Sequence, residues 1–132
     1  MDLIVCVDDK MGMSFGGRRQ SMDRLLREDL LALTQGAALW MAPYSAKQFE
    51  TLPENARVAE DFLEAAGEGD YCFCELQLPQ KPEGSIILYR WNRHYPADRF
   101  FPEEWLQCRN LKESREFPGN SHEKITREVY GL

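Results

Sequence analysis

The most suggestive chemical feature of the sequence is a glycine- and arginine-bearing segment, Gly16-Gly17-Arg18-Arg19-Gln20-Ser21. Flexible glycines, two guanidinium groups and a following helix N-terminus can together hold a phosphate or a carboxylate. The alternative is a solvated loop whose arginines pair with Asp8, Asp9 or Asp23, which is the usual arrangement of surface arginines in an acidic protein. The segment does not match the phosphate-binding loop of nucleoside triphosphatases.

A second cluster of cations and aromatic rings occurs in the stretch Arg90-Trp91-Asn92-Arg93-His94-Tyr95. Such a stretch can stack on a ring or hold an anion. Its position at the end of an apolar run favours a structural role, in which a strand leaves the core and its long side chains reach solvent.

The sequence lacks the motifs of several common kinds of catalytic and metal-binding site. There is no G-x-S-x-G nucleophile elbow, and neither His94 nor His122 has a serine or cysteine nearby in a recognised local signature. H-E-x-x-H is also missing, and the two histidines stand at no metal-ligand spacing from the cysteines at positions 6, 72, 74 and 108. We therefore expect no bound metal and reduced, mostly buried thiols.

The composition indicates one globular domain covering residues 1–132, with 43% hydrophobic and 29% charged residues. A net charge of −6 weighs against partners such as nucleic acid or an anionic membrane, because both recruit proteins through a positive field. No apolar run is long enough to span a bilayer, and the acidic start MDLIVCVDD does not look like a secretory signal. These features predict a cytoplasmic protein.

The elements that must position any site alternate between strands and helices. Short apolar runs predict strands, and apolar residues at spacings of three and four predict helices. The predicted strands are Leu3–Val7, Ala37–Met41, Tyr71–Leu76, Ile86–Trp91, Leu106–Asn110 and Ile125–Tyr130. The predicted helices run from an N-cap at Ser21 to about Leu33, from Pro43 to Phe49 and from Glu54 to Ala66, with a loop from Gly12 to Gln20. This order predicts an α/β fold with three α-β-α layers.

Motifs spread along the chain resemble dihydrofolate reductase in the same order. At the start, Leu3-Ile-Val-Cys-Val-Asp-Asp-Lys-Met-Gly12 is similar to that family's first strand and mobile loop. The stretches that continue the resemblance are Leu39 to Ser45, Ser85 to Trp91, Ala97 to Pro102 with Trp105, and Glu116 to Tyr130. The resemblance implies a mixed sheet that closes with a C-terminal antiparallel hairpin.

The departures from the family fall on its functional positions. The carboxylate that supports pterin protonation would fall near Leu25 or Leu26, and the nearest acid is Asp23, which we take as the candidate catalytic residue. The family's partner threonine corresponds to Tyr89.

The cofactor half of the family's site departs further. The Gly-Gly turn that approaches the cofactor pyrophosphate is replaced by Glu75-Leu76-Gln77, and G-R-x-T by Ala42-Pro43-Tyr44-Ser45. A region that carries a further strand and helix in the family looks shortened after Phe49, with Arg57 the only basic residue near it. We therefore expect neither a bound cofactor nor ordinary reductase activity.

We interpret the chain as a divergent dihydrofolate-reductase-like protein that binds a small anionic or heterocyclic ligand. Arg18 and Arg19 would supply charge to that ligand site. The apolar or stacking wall would come from Met13, Phe15, Trp40 and Tyr89. One alternative is an NADPH-dependent reductase of a pterin-like substrate that uses Asp23 as proton donor. Another is a protein-interaction domain, for example a homodimer paired through an exposed strand at Tyr71–Leu76.

Overall fold

A seven-stranded sheet forms the centre of the chain, and a computed structural model describes all residues from 1 to 132. Its strands are β1 Asp2–Val7, β4 Leu39–Met41, β5 Ala56–Val58, β6 Tyr71–Phe73, β7 Ile86–Arg90, β9 Asn110–Phe117 and β10 Ile125–Gly131. A smaller sheet contains β2 Gly12–Phe15, β3 Arg18–Arg19 and β8 Arg99–Phe100. The helices are α1 Arg24–Thr34, α2 Pro43–Ala46, α3 Phe62–Ala65 and α4 Glu104–Gln107.

The large sheet is mixed, with strand order β5-β4-β6-β1-β7-β10-β9. The first five strands in this order, β5, β4, β6, β1 and β7, are parallel to one another. Strand β10 runs antiparallel to both of its neighbours, β7 and β9. In the register of the central strand, Leu3 lies between Cys72 and Ile86. Strand β1 is almost continuously apolar because both faces of a parallel strand are covered.

Two hydrophobic clusters lie on opposite faces of this sheet. Alternate residues of β1 divide between them, with Leu3, Val5 and Val7 in one cluster and Ile4 in the other. Helix α1 covers the Ile4 face through Leu26 and Leu30, which pack in that cluster. The opposite face is covered by α3, α4 and their flanking loops, so the three predicted layers are confirmed.

Helix α1 begins later than its sequence predicts. Its N-cap is Asp23, whose Oδ1 accepts hydrogen bonds from the backbone N–H groups of Leu25 at 2.9 Å and Leu26 at 3.3 Å. The N-cap predicted at Ser21 is therefore wrong. Serine and aspartate both cap helix N–H groups well, and only the aspartate charge also complements the positive end of the helix dipole.

The segment predicted as a helix from Glu54 to Ala66 contains strand β5 and the short α3 instead. The apparent helical spacing was misleading, since Val58 is 40% exposed and only Phe62 is buried. Strand β5 pairs with β4, a partner that local periodicity does not reveal. The further strand that appeared to be missing after Phe49 is thus present, and Arg57 lies on it.

Three smaller predictions also change. The Gly12–Gln20 loop is a hairpin of β2 and β3 that turns at Gly16 and Gly17, both with positive φ. The segment predicted as a strand at Leu106–Asn110 contains the end of α4, a turn and only the first residue of β9. Strand β6 lies between β4 and β1 in the interior of the sheet, so the exposed edge expected at Tyr71–Leu76 does not exist.

The longest helix, α1, has 11 residues, and no helix of the structure is long and apolar enough to cross a membrane.

Candidate functional site

The candidate site lies where the parallel strands end at their carboxyl edge. This edge is the usual ligand-binding side of α/β sheets because several loops converge there. Glu75 follows β6, Ser45 lies on α2 after β4, and the β2–β3 hairpin that follows β1 brings Arg19 against them.

Arg19 and Glu75 form a two-pronged ion pair at this edge. Arg19 Nε donates to Glu75 Oε2 at 2.9 Å, and Arg19 Nη2 donates to Glu75 Oε1 at 3.1 Å. Ser45 Oγ at 2.8 Å and Gln48 Nε2 at 3.0 Å also donate to Oε1. The two charged side chains are 18% and 8% exposed, so the pair is largely shielded from solvent without being fully buried.

Tyr44 completes the surroundings of Arg19. The guanidinium lies 4.3 Å from the centre of the Tyr44 ring, and Arg19 Nη2 donates to the Tyr44 carbonyl at 3.2 Å. Burial by itself lowers the pKa of Arg19, but the hydrogen bonds and charge of Glu75 outweigh it and raise that pKa. Arg19 therefore stays charged, and its plane is fixed between a carboxylate and an aromatic ring.

Two small cavities adjoin this ion pair. One, of about 10 Å³, is lined by Cys6, Met13, Arg19, Gln20, Ser21, Cys74, Glu75 and Trp91. The other, of about 140 Å³, is lined by Ala42, Tyr44, Ser45, Glu60, Phe62, Glu75, Leu76 and Gln77. Glu75 lines both cavities, whereas Arg19 lines only the smaller one.

Next to the ion pair lies a buried histidine cluster. His122 Nδ1 is 2.9 Å from Asp23 Oδ2, and His122 Nε2 is 3.1 Å from Ser21 Oγ and 2.9 Å from Tyr95 Oη. The imidazole stacks on the ring of Trp91, with their centres 4.6 Å apart. Four side chains from two separated segments, residues 21–23 and 91–95, are thus placed around one imidazole.

The fold itself is shared with known proteins, although the sequence is not. No protein-family model and no curated protein matches this sequence. The structure is similar to that of dihydrofolate reductase from Enterococcus faecalis, solved in complex with NADP(H) and RAB-propyl. That similarity has a TM-score of 0.67 at 11% identity, and it covers 98% of this chain and 94% of that one. This chain has a dihydrofolate-reductase-like fold.

The dihydrofolate-reductase-like fold does not bring the six predicted ligand-binding residues together. Met13 and Arg19 line the 10 Å³ cavity. Phe15 and Arg18 pair across the exposed tip of the β2–β3 hairpin, where Phe15 is 54% exposed. Trp40 is half-buried, and its Nε1 donates to Asp70 Oδ2 at 3.0 Å.

Tyr89, the sixth of these residues, is buried beneath α1 rather than exposed to the cleft. Its hydroxyl donates to Asp29 Oδ2 at 2.7 Å, and that carboxylate also accepts from Arg127 at 2.8 Å and from Arg115. Burial, together with the hydrogen bond to Asp29, raises the pKa of Tyr89. Tyr89 therefore belongs to a buried polar network in the core.

Asp23 is a fully buried carboxylate. Besides the helix N–H groups, it accepts from the backbone N–H groups of Asn120 and Ser121, each at 2.9 Å. Burial alone would raise the pKa of Asp23, but these N–H donors and His122 lower it well below its usual range. A general acid at neutral pH needs a raised pKa, so this environment favours a permanently ionised carboxylate over a proton donor.

Sequence reasoning missed the histidine cluster, because Asp23 and His122 are separated by 99 positions. The sequence signal was a Pro118-Gly119-Asn120 turn just before Ser121-His122, which brings the histidine back to the start of α1. No group of three or more metal-ligating side chains is assembled in the structure.

Proposed function

We propose that this dihydrofolate-reductase-like domain binds a small planar heterocycle on Glu75, and that Arg19 occupies that position in the free protein. The observation that supports this is the two-pronged contact of Arg19 with Glu75, combined with its stacking on Tyr44. The chain's own guanidinium has the shape and the hydrogen-bond donors that such a ligand would present.

The chemistry of Glu75 selects the ligand. A carboxylate binds two parallel N–H donors best, as an amidine-like edge of an amino-substituted pyrimidine ring provides them. Tyr44 offers a flat face to the same ring. Arg18 precedes Arg19 on β3 and lies at the exposed hairpin tip, so it is not part of this site. Ligand binding would then release Arg19 and move the β2–β3 hairpin.

A nicotinamide dinucleotide fits this edge poorly. The larger cavity at this edge of the sheet has a volume of about 140 Å³, which is below the roughly 300–1,000 Å³ of ordinary small-molecule sites. Glu60 and Glu75 both line that cavity. Glu75 is already paired with Arg19, and the exposed Glu60 adds a negative charge that opposes a cofactor phosphate. The size of the cavity and its charge together lead us to propose no NADPH-dependent step.

The heterocycle site is tested with 2,4-diaminopyrimidine as the probe. We expect Arg19→Met to bind it at least about tenfold more tightly than the unmodified protein, because the internal competitor is removed. Arg19→Met combined with Glu75→Gln should lose this gain. Binding is followed by thermal shift and by NMR titration, with Arg24→Met as the control, since Arg24 pairs with Glu28 on the exposed face of α1.

Equal probe affinity in the unmodified protein and Arg19→Met would refute the site. The dinucleotide is tested separately, through energy transfer from the three tryptophans to NADPH. We expect no saturable binding up to millimolar NADPH. Micromolar binding, or turnover of dihydrofolate that depends on Asp23, would overturn the proposal in favour of a reductase.

A further inference from the structure

Three side chains of the histidine cluster form a continuous chain of hydrogen bonds. Ser21 Oγ lies 3.1 Å from His122 Nε2, and His122 Nδ1 lies 2.9 Å from Asp23 Oδ2. This order of hydroxyl, imidazole and carboxylate is that of a serine nucleophile with its general base and orienting acid. We propose that Ser21 is an acyl-transfer nucleophile, with His122 as its base and Asp23 as the residue that positions His122. The proposal does not depend on the heterocycle site.

The carboxylate fixes the tautomer that such chemistry needs. Because Asp23 is ionised, Nδ1 of His122 carries the proton and donates it, which leaves the lone pair on Nε2 facing Ser21. The side chains of His122 and Asp23 are 1% and 0% exposed. Four backbone N–H groups and the Trp91 ring hold the pair in place, so little reorganisation is needed at reaction.

Tyr95 gives a second hydroxyl to the same nitrogen. Its Oη is 2.9 Å from His122 Nε2, slightly closer than Ser21 Oγ. A single lone pair accepts one strong hydrogen bond, so the two hydroxyls compete for it. Removing the Tyr95 hydroxyl therefore gives Ser21 sole access to the base.

The space beside Ser21 is small. Ser21 lines the 10 Å³ cavity together with Met13, Cys6 and Cys74. That volume is no more than one water molecule needs, so an acyl group on Ser21 would lie at the mouth of the cavity, and acetyl is the small acyl group used as the probe. The backbone N–H of Met22, the residue after the nucleophile, has no backbone acceptor and is free to donate to an oxyanion.

The reaction is an ordinary acyl transfer. Ser21 Oγ forms a bond to the carbonyl carbon of a small ester while its proton passes to His122 Nε2. The ester C–O bond then breaks, and the leaving alcohol takes the proton from Nε2. Water repeats the same two steps on the acyl-serine, releasing the acid and restoring Ser21.

The test uses p-nitrophenyl acetate and the full chain. We expect nitrophenolate release with an acetyl group that maps to Ser21 by mass spectrometry. Ser21→Ala should remove the adduct, and His122→Gln should slow release at least 100-fold. Tyr95→Phe should accelerate acetylation. Ser114→Ala, at an exposed serine of β9, is the matched control and should behave as the unmodified protein.

Circular dichroism and thermal unfolding establish that each variant is folded. If His122→Gln does not fold, Ser21→Ala and Tyr95→Phe decide the question alone, because Ser21 is outside both hydrophobic clusters and Tyr95→Phe keeps the ring that packs against one of them. No adduct on Ser21 of the folded protein, or equal release by Ser21→Ala, would overturn the proposal. An adduct on Tyr95 would overturn it as well.

Discussion

The Arg19–Glu75 ion pair should couple the β2–β3 hairpin to the large sheet. Two unit charges about 4 Å apart attract by about 4 kcal/mol at an effective dielectric constant of 20, before the cost of desolvating them is subtracted. Exposed pairs contribute about 0.2–1 kcal/mol, whereas breaking a fully buried pair costs about 3–5 kcal/mol. With side chains 18% and 8% exposed, this pair lies between those limits.

We therefore expect Arg19→Met to reduce the free energy of unfolding by about 2–3 kcal/mol. In a double-mutant cycle with Glu75→Gln, we expect a coupling energy of about 1–3 kcal/mol. Methionine keeps the length of the aliphatic stem, and glutamine keeps the shape of the carboxylate, so the cycle isolates the charge contact. Urea unfolding gives each free energy, and the midpoint of thermal unfolding should fall by roughly 10 °C in Arg19→Met.

The same chain provides a matched control in Arg24 and Glu28, an i,i+4 pair on α1 in which both side chains are 58% exposed. Its coupling energy should be about 0.3–0.5 kcal/mol and should vanish in high salt, whereas that of Arg19 and Glu75 should persist. Equal coupling energies in the two double-mutant cycles would refute the conclusion that the Arg19–Glu75 ion pair couples the β2–β3 hairpin to the large sheet.

Three further measurements test the interior. Because burial raises the pKa of Cys72 to about 12 and Cys108 is exposed, we expect a thiol reagent at pH 8 to modify Cys108 rapidly and Cys72 only after unfolding. The pKa of Asp23 is lowered on folding from an unfolded value of about 3.9, so its stabilisation is complete above about pH 5 and is lost as the pH falls below 4. Urea unfolding between pH 3 and pH 6 should show this decline, and a flat profile would contradict it. Tyr89→Phe should cost about 1–2 kcal/mol, because Asp29 loses one buried donor but keeps its arginines; a loss above about 4 kcal/mol would show that the network collapses without the hydroxyl.

The central fold was predictable because its strands are locally distinctive. Strands β1 and β7 are apolar runs with few competing patterns, and the ordered motifs, which include β10, indicated the correct family of folds. Strand β5 was not predictable, since three residues paired with β4 carry no periodic signal of their own. The same is true of β3, which has two residues and depends on β2 for its pairing.

The site was predicted only in part, because its contacts join distant positions. The segment from Gly16 to Ser21 was singled out for its arginines, and Arg19 does form a specific ion pair, but with Glu75 rather than with a nearby aspartate. Asp23 was proposed from the resemblance and proves to be a helix cap bound to His122. Separations of 56 and 99 residues leave no local spacing from which either pair could be predicted.

The position of β1 in the middle of the sheet has a consequence for synthesis on the ribosome. Leu3 pairs with Cys72 on one side and with Ile86 on the other, so this apolar strand emerges long before either partner. It must remain unpaired, with its backbone N–H and C=O groups open to other strands, until most of the chain has been translated. High contact order of this kind slows folding and prolongs exposure to aggregation, so nascent chains of this protein are expected substrates for chaperones.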